Sequence, residues 1–224
     1  MTSGLRLAAT VILIRPAPSA TEVFMLRRSA ASPFMPGAFV FPGGAVDDAD
    51  YARGPVPGWS DERIAAEFRA TVPRELAVDQ PAVSPRDAHA LLHAAVRELY
   101  EEADIQLDPS HLTLFSHWIT PAGEPRRYDT HFFIAAAPPG ALGTADSVET
   151  HDARWLSPRS ALEAERGGEM HLVFPTIKHL ERLAGFDSID ALLAFAREKP
   201  IVTIMPDVPP SAGVSLPQAL EGRW

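Results

Sequence analysis

Three glutamates, Glu98, Glu101 and Glu102, stand at i, i+3 and i+4 of an alanine- and leucine-rich stretch. At about 100° per residue these positions share one helical face, so three carboxylates converge on a patch the size of a hydrated cation. Such crowding repels itself unless a metal or an arginine compensates it. A hard dication such as Mg²⁺ takes oxygen ligands, often a few carboxylates together with substrate phosphates, and this face suits that chemistry. Arg97, one turn before Glu101, can pair with it or with acids across a cleft and hold them ionised. Taken alone, the triplet also fits a solvated acidic helix face, because glutamate is a common helix former.

The element that must present these acids is a helix expected over Pro85–Ala103, with Ser84 as N-cap and Pro85 at the first helical position. Its apolar arc runs through Ala88, Leu91, Leu92, Ala95, Val96, Leu99 and Ala103, which leaves Glu98 and Glu102 at the rim of the core. Strands are expected over Leu5–Ile14, Val23–Arg27, Ala38–Phe41, Leu112–Ile119, Thr130–Ala136, Ala153–Leu156 and Ile201–Met205. Further helices are expected after Ser60, after Phe174 and after Asp187, the Phe174 helix ended by Gly185. Mixed strand and helix order implies an α/β or α+β sandwich with a mixed sheet. The 224 residues, 46% of them hydrophobic, are enough for one main domain over the whole chain.

Upstream, Phe34-Met35-Pro36-Gly37-Ala38 runs into Val40-Phe41-Pro42-Gly43-Gly44, where paired glycines let backbone come close to a metal or phosphate. Together with Arg97-Glu98-Leu99-Tyr100-Glu101-Glu102 this resembles the Nudix hydrolase box: Gly, five residues, Glu, seven residues, Arg-Glu, an aliphatic, any residue, Glu-Glu, any residue, Gly and an aliphatic. The gap from Gly44 to Arg97 is far longer than the box allows, so about 48–86 reads as a helix-bearing insertion looped out before the acid-bearing helix. The first box glutamate has Asp47, Asp48 and Asp50 as candidate counterparts, and the final box Gly is replaced by Asp104, a poorer left-handed cap. The interruption and the Phe-Met-Pro-Gly-Ala phrase are similar to the Nudix branch related to peroxisomal coenzyme A diphosphatases. Trp118–Phe133 resembles its substrate-side hairpin, and Leu26–Ser29 loosely its basic coenzyme A signature.

That resemblance implies a Nudix α/β/α sandwich and metal-dependent hydrolysis of a nucleoside diphosphate-linked substrate, coenzyme A or acyl-coenzyme A first, ADP-ribose or a dinucleotide such as NADH next. It implies Mg²⁺ or Mn²⁺ as cofactor, with Glu98 and Glu102 as principal ligands, Glu101 completing the shell and Arg97 orienting them. Glu98 and Glu149 are both candidates for the proton acceptor. Arg27, Arg126 and Arg127 are candidate phosphate contacts, Gly43 and Gly44 candidate backbone contacts, and Phe34 and Phe39 candidate entrance residues. A reading from another class, a Nudix-fold nucleotide sensor without turnover, has no use for a crowded acid face.

Other classes find less support. A net charge of −9 without a Lys/Arg run argues against nucleic acid and anionic membrane surfaces as partners. The apolar stretch from Leu7 to Ile14 superficially resembles a secretion signal, but it is short, β-branched and followed by a turn and a second strand, so a hairpin is expected. The absence of cysteine excludes disulfides and thiolate chemistry and is compatible with the cytoplasm. The chain ends without a Ser-Lys-Leu address, which argues against transferring a peroxisomal location. His89 and His93 have a helical zinc spacing but lie on the wheel away from Glu98 and Glu102 and read as a surface pair. The oligomeric state, a homodimer included, and the role of residues 206–224 are left open.

Overall fold

The computed structural model describes residues 4–17, 21–32, 35–71, 83–206 and 215–216. Its centre is a mixed sheet built on β1 (Arg6–Pro16), β2 (Thr21–Arg28) and β3 (Phe39–Val40), continued on the other side of β1 by β7 (Tyr128–Ala136), β6 (Thr113–Ile119), β9 (Ile201–Ile204) and β5 (Ala70–Thr71). β4 (Gly43–Ala45) adds to β1, and β8 (Thr150–Leu156) adds to β2. The β1–β7, β6–β9 and β5–β9 pairs are parallel and the others antiparallel, as expected where hairpins and crossovers are mixed.

Alternation along β1 assigns one helical layer to each face. Ala9, Val11 and Leu13 face a core shared with Leu91, Leu92, Ala95 and Leu99 of α3 (Pro85–Ala103), together with α2 (Asp61–Glu67). Ile12 and Ile14 face the opposite core, closed by α4 (Pro158–Arg166), α5 (Phe174–Leu183) and α6 (Ile189–Glu198). The result is the three-layer α/β/α sandwich with a mixed sheet that the sequence led us to expect.

The acid-bearing helix has the expected limits. Ser84 accepts from the Asp87 amide, Pro85 opens the helix, and Asp104 closes it in the left-handed region at φ 53°. Two short elements escaped the pattern because five- and nine-residue helices carry little periodicity: α1 (Asp48–Ala52) and α4. The strand expected over Ala38–Phe41 is shortened to β3, and beyond Pro42 the chain forms a further strand, β4, that pairs with a different neighbour.

The described part of the insertion is docked on the domain rather than looped out. Val56, Trp59, Ile64 and Phe68 are buried in the α3-side core, and Trp59 Nε1 donates to Pro109 O at 3.1 Å. β5 extends the sheet by pairing with β9. The two histidines read as a surface pair are fasteners for this docking: His89 Nδ1 accepts from Val56 N at 3.1 Å, and buried His93 donates from Nε2 to Gly54 O at 2.9 Å. Among the described residues no helix is long and apolar enough to cross a membrane. Phe34 and most of residues 207–224 lie outside the described residues.

Asp104 holds an exposed position where any side chain is disfavoured by its Cβ. Asp104→Gly is therefore expected to raise the unfolding free energy by up to about 1 kcal/mol, read as a higher urea midpoint at unchanged m-value.

Candidate active site

The site is assembled where β4 meets α3. Gly43 and Gly44 pair with Thr10 and Ala9 of β1; backbone leaves no room for a side chain at Gly43, and one at Gly44 would displace the Glu98 carboxylate. A Cβ at Gly43 would collide with Ala9 O and Thr10, and one at Gly44 with the Glu98 carboxylate. Removing both side chains lets the strand lie directly on the helix, and Gly43 N donates to Glu102 Oε2 at 2.9 Å.

Arg97 gathers the acids. Its Nε and Nη2 fork onto Asp50 Oδ1 and Oδ2 at 3.0 and 2.9 Å, Nη1 donates to Glu98 Oε1 at 2.8 Å and Glu101 Oε2 at 2.9 Å, and Nη2 also reaches Ala45 O at 3.1 Å. Its hydrogen bonds to Asp50, followed by the charge of Glu98, push the guanidinium pKa up, so it stays charged at any working pH. Asp50 itself is 1% exposed and owes its position to α1, whose N-cap Asp47 exchanges two hydrogen bonds with it in a capping box. Hydrogen bonding to those amides, chiefly that of Asp50, holds the Asp47 carboxyl below its usual range. Asp48 is exposed on the first turn of the same helix. Of the three aspartates weighed for the first box acid, Asp50 is the one joined bidentately to Arg97, with Asp47 reaching it only at 3.9 Å. Five residues separate Gly44 from Asp50, the spacing of the box itself, and counting it would have singled out this residue.

Burial sets the electrostatics of the remaining carboxylates. Glu102 is 4% exposed, and loss of hydration pushes its pKa up to about 8, against the lowering effect of the Gly43 amide and with a further rise from Glu98. Glu98, half-buried, is also raised by burial, with Arg97 opposing. Glu101 is exposed and held by Arg97. Glu149 adds its charge to both Glu98 and Glu102 from the loop before β8, where Asp146 accepts from the amides of Val148, Glu149 and Thr150. Crowded oxygen donors suit a hard dication, and Glu98 and Glu102, with Glu101 beside them, are the carboxylates here that could hold Mg²⁺ or Mn²⁺.

A cleft of about 450 Å³ opens beside Gly43, its walls formed by Phe41, Trp118, Tyr128 and Phe174 and its basic group supplied by Arg28. Here the structure departs from the expected substrate contacts. A bulge between Arg27 and Arg28 breaks the strand alternation, so Arg28 enters the cleft while Arg27 is exposed over the Phe39 ring. Phe39 is buried in the α5-side core, and Phe41 takes the wall position. Arg127 Nε is committed to Thr120 O and Pro121 O at 3.1 Å each, bracing the hairpin, and exposed Arg126 does not line the cleft.

The arrangement agrees with the comparisons to known proteins. Residues 83–175 match the sequence model of the NUDIX domain, a match that begins where the insertion ends. A crystal structure of a NUDIX hydrolase from Alicyclobacillus acidocaldarius superposes with a TM-score of 0.66 at 25% identity, covering 87% of this chain and 97% of that one. Over residues 83–175 the chain is similar to the NUDIX domain, and its fold is similar to that of a Nudix hydrolase. It is also similar to the acyl-coenzyme A diphosphatases NUDT19 of Gallus gallus (27% identical, 87% of this chain and 72% of that protein) and Homo sapiens (28%, 81% and 65%). The matches span 62% to 72% of the length of the curated relatives.

Two outcomes follow from the geometry. Asp50→Asn removes the charge opposite Arg97 and is expected to cost roughly 3 kcal/mol of stability in urea unfolding. Because the Glu102 pKa is raised in the folded state, the metal-free protein binds more protons folded than unfolded between 4.5 and about 8. Its contribution is fully present below 4.5 and lost as pH rises through about 8, so the melting temperature should fall over that window and Glu102→Gln should flatten the fall.

Proposed function

We propose that this chain hydrolyses the diphosphate of coenzyme A or acyl-coenzyme A, with Mg²⁺ or Mn²⁺. The observation that carries the reading is the packing of Glu98 and Glu102 against Gly43-Gly44 at the mouth of an aromatic-walled cleft that contains Arg28. Similarity to the acyl-coenzyme A diphosphatases supports the substrate class, and the cleft walls suit a ligand with an aromatic base and an apolar arm.

In this reading Glu98 and Glu102 hold the metal, with Glu101 completing the shell. The bound dication would screen the diphosphate charge and acidify the attacking water. Arg97 is a positioning residue: it fixes Glu98 and Glu101 and is itself fixed by Asp50. Arg28 receives the phosphate charge on the cleft side, while Gly43 and Gly44 allow the diphosphate to approach backbone. Glu98 and Glu102 commit oxygens to Arg97 and Gly43, so Glu149, exposed and close enough to influence both, takes the proton of the attacking water. Water oxygen bonds to one phosphorus, the anhydride bond breaks, and two phosphate monoesters leave.

A panel of coenzyme A, an acyl-coenzyme A, ADP-ribose and NADH with Mg²⁺ or Mn²⁺ tests the assignment. Coenzyme A species should have the highest kcat/KM, and Glu98→Gln and Glu102→Gln should each lower it by more than about a hundredfold, the loss that outer-shell partners of a metal already reach. Coenzyme A ranking last overturns the substrate. Ligand binding that is unchanged in both variants, with no turnover of any compound by the native chain, overturns hydrolysis in favour of a nucleotide sensor.

A further inference from the structure

A second polar cluster lies on the α3-side face of the sheet, two strands from Gly44. His131 on β7 is paired with His117 on β6, Asp129 lies two residues away on the same face, and Thr203 on β9 is paired with His117. His117 and His131 are each 2% exposed, Asp129 is 8% exposed and Thr203 is fully buried. Part of the cluster is accounted for by hydrogen bonds: His117 Nε2 meets Asp129 Oδ1 at 2.5 Å, and His117 Nδ1 meets Thr203 Oγ1 at 2.9 Å.

His131 is the part that hydrogen bonding leaves unexplained. Its Nδ1 is buried with no hydrogen-bond partner among the described residues, yet it is directed toward Asp129 Oδ1, 3.7 Å away. A buried imidazole nitrogen without a partner has lost its hydration with nothing in exchange. Its ring stacks on His117 with centroids 4.3 Å apart and is covered by Phe68 of the insertion at 5.7 Å. Burial, helped by His117, pushes the His131 pKa down to about 3, which keeps the imidazole in its neutral, ligating form.

We propose that His117, Asp129 and His131 form a binding site for a transition-metal dication of the zinc class, structural in role and distinct from the carboxylate site on α3. One ligand atom from each residue lies within 4.8 Å of the others. Zinc bonds of about 2.0–2.1 Å in a tetrahedral shell need ligand atoms about 3.3 Å apart, so on binding Asp129 draws back from His117 and the stacked rings turn toward a shared centre. The metal takes the place of the proton shared by His117 and Asp129, and that proton is released to solvent. Two imidazoles and one carboxylate favour zinc, cobalt or nickel over Mg²⁺, whereas the all-carboxylate face of α3 favours Mg²⁺ or Mn²⁺. Thr203 on the second nitrogen of His117 has the place of an orienting partner behind a metal-bound histidine. Since β9 also carries β5, and Phe68 covers His131, a metal here would pin the insertion to the central strands.

The test uses the full chain stripped with a chelator, in native form and as Glu98→Gln/Glu102→Gln, so that the α3 site is disabled. Each is titrated with Zn²⁺ and Co²⁺ in excess Mg²⁺, following bound metal by mass spectrometry, the visible Co²⁺ spectrum and the melting temperature. We expect one equivalent bound in both forms, resistant to Mg²⁺ and raising the melting temperature, and its loss in His131→Phe, which preserves ring volume beside Phe68. Imidazole nitrogen shifts of His117 and His131 on adding Zn²⁺ to Glu98→Gln/Glu102→Gln give a reading without altering the ligands, should His131→Phe fail to fold. No bound equivalent in Glu98→Gln/Glu102→Gln, equal uptake by folded His131→Phe, or unmoved imidazole shifts each overturn the site and leave His117 and Asp129 as a proton-sharing pair.

Discussion

The acid face can exist only because Arg97 compensates it. Glu98 and Glu102 lose hydration at the rim of the core and repel each other, and Glu149 adds to the repulsion. A surface ion pair would do little against this, but Arg97 is mostly buried and presents a planar fork that satisfies Asp50 on one side while contacting Glu98 and Glu101 on the other. Asp50 therefore determines the arginine's orientation, and the arginine determines that of the glutamates. The Gly43 amide completes the arrangement by donating to Glu102, which requires a strand without side chains.

That dependence explains how a motif interrupted in sequence is continuous in space. Gly44 precedes the insertion, Asp50 lies at its start and Arg97 beyond it, yet the guanidinium reaches both Ala45 O and Asp50. Closing a long loop costs only slowly rising entropy, and here the insertion recovers stability by burying Trp59, Ile64 and Phe68 in the core beneath it. His89 and His93 fasten its turns to the same helix that carries the acids. The helix thus serves the insertion with its first half and the site with its second.

The two faces of the sheet divide the work. α3 and the insertion cover one face and bring the carboxylates to its edge, while Phe41, Trp118 and Phe174 open a cleft toward the other. Gly43 lies at the junction, next to Glu102 and lining the cleft. A ligand reaching from cleft to carboxylates would pass over backbone rather than side chains at that point.

Local chemistry by itself determined the helix that carries the site: Ser84, Pro85, the apolar arc and Asp104 fixed its limits, and the spacing of Glu98, Glu101 and Glu102 put them on one face. The long strands and their alternation were legible for the same reason, since period and capping act over neighbouring residues. Tertiary structure decided what depends on distant partners. A bulge against β8 chose Arg28 over Arg27 for the cleft, carbonyls of the hairpin claimed Arg127, and core packing claimed Phe39. Asp50 was countable from Gly44, but its bidentate seat under Arg97 needed α1 packed against α3, and packing gave Glu98, Glu101 and Glu102 different degrees of burial. Hydration is lost only when the chain is packed, so the burial that raises the Glu98 and Glu102 carboxyls was not contained in their spacing.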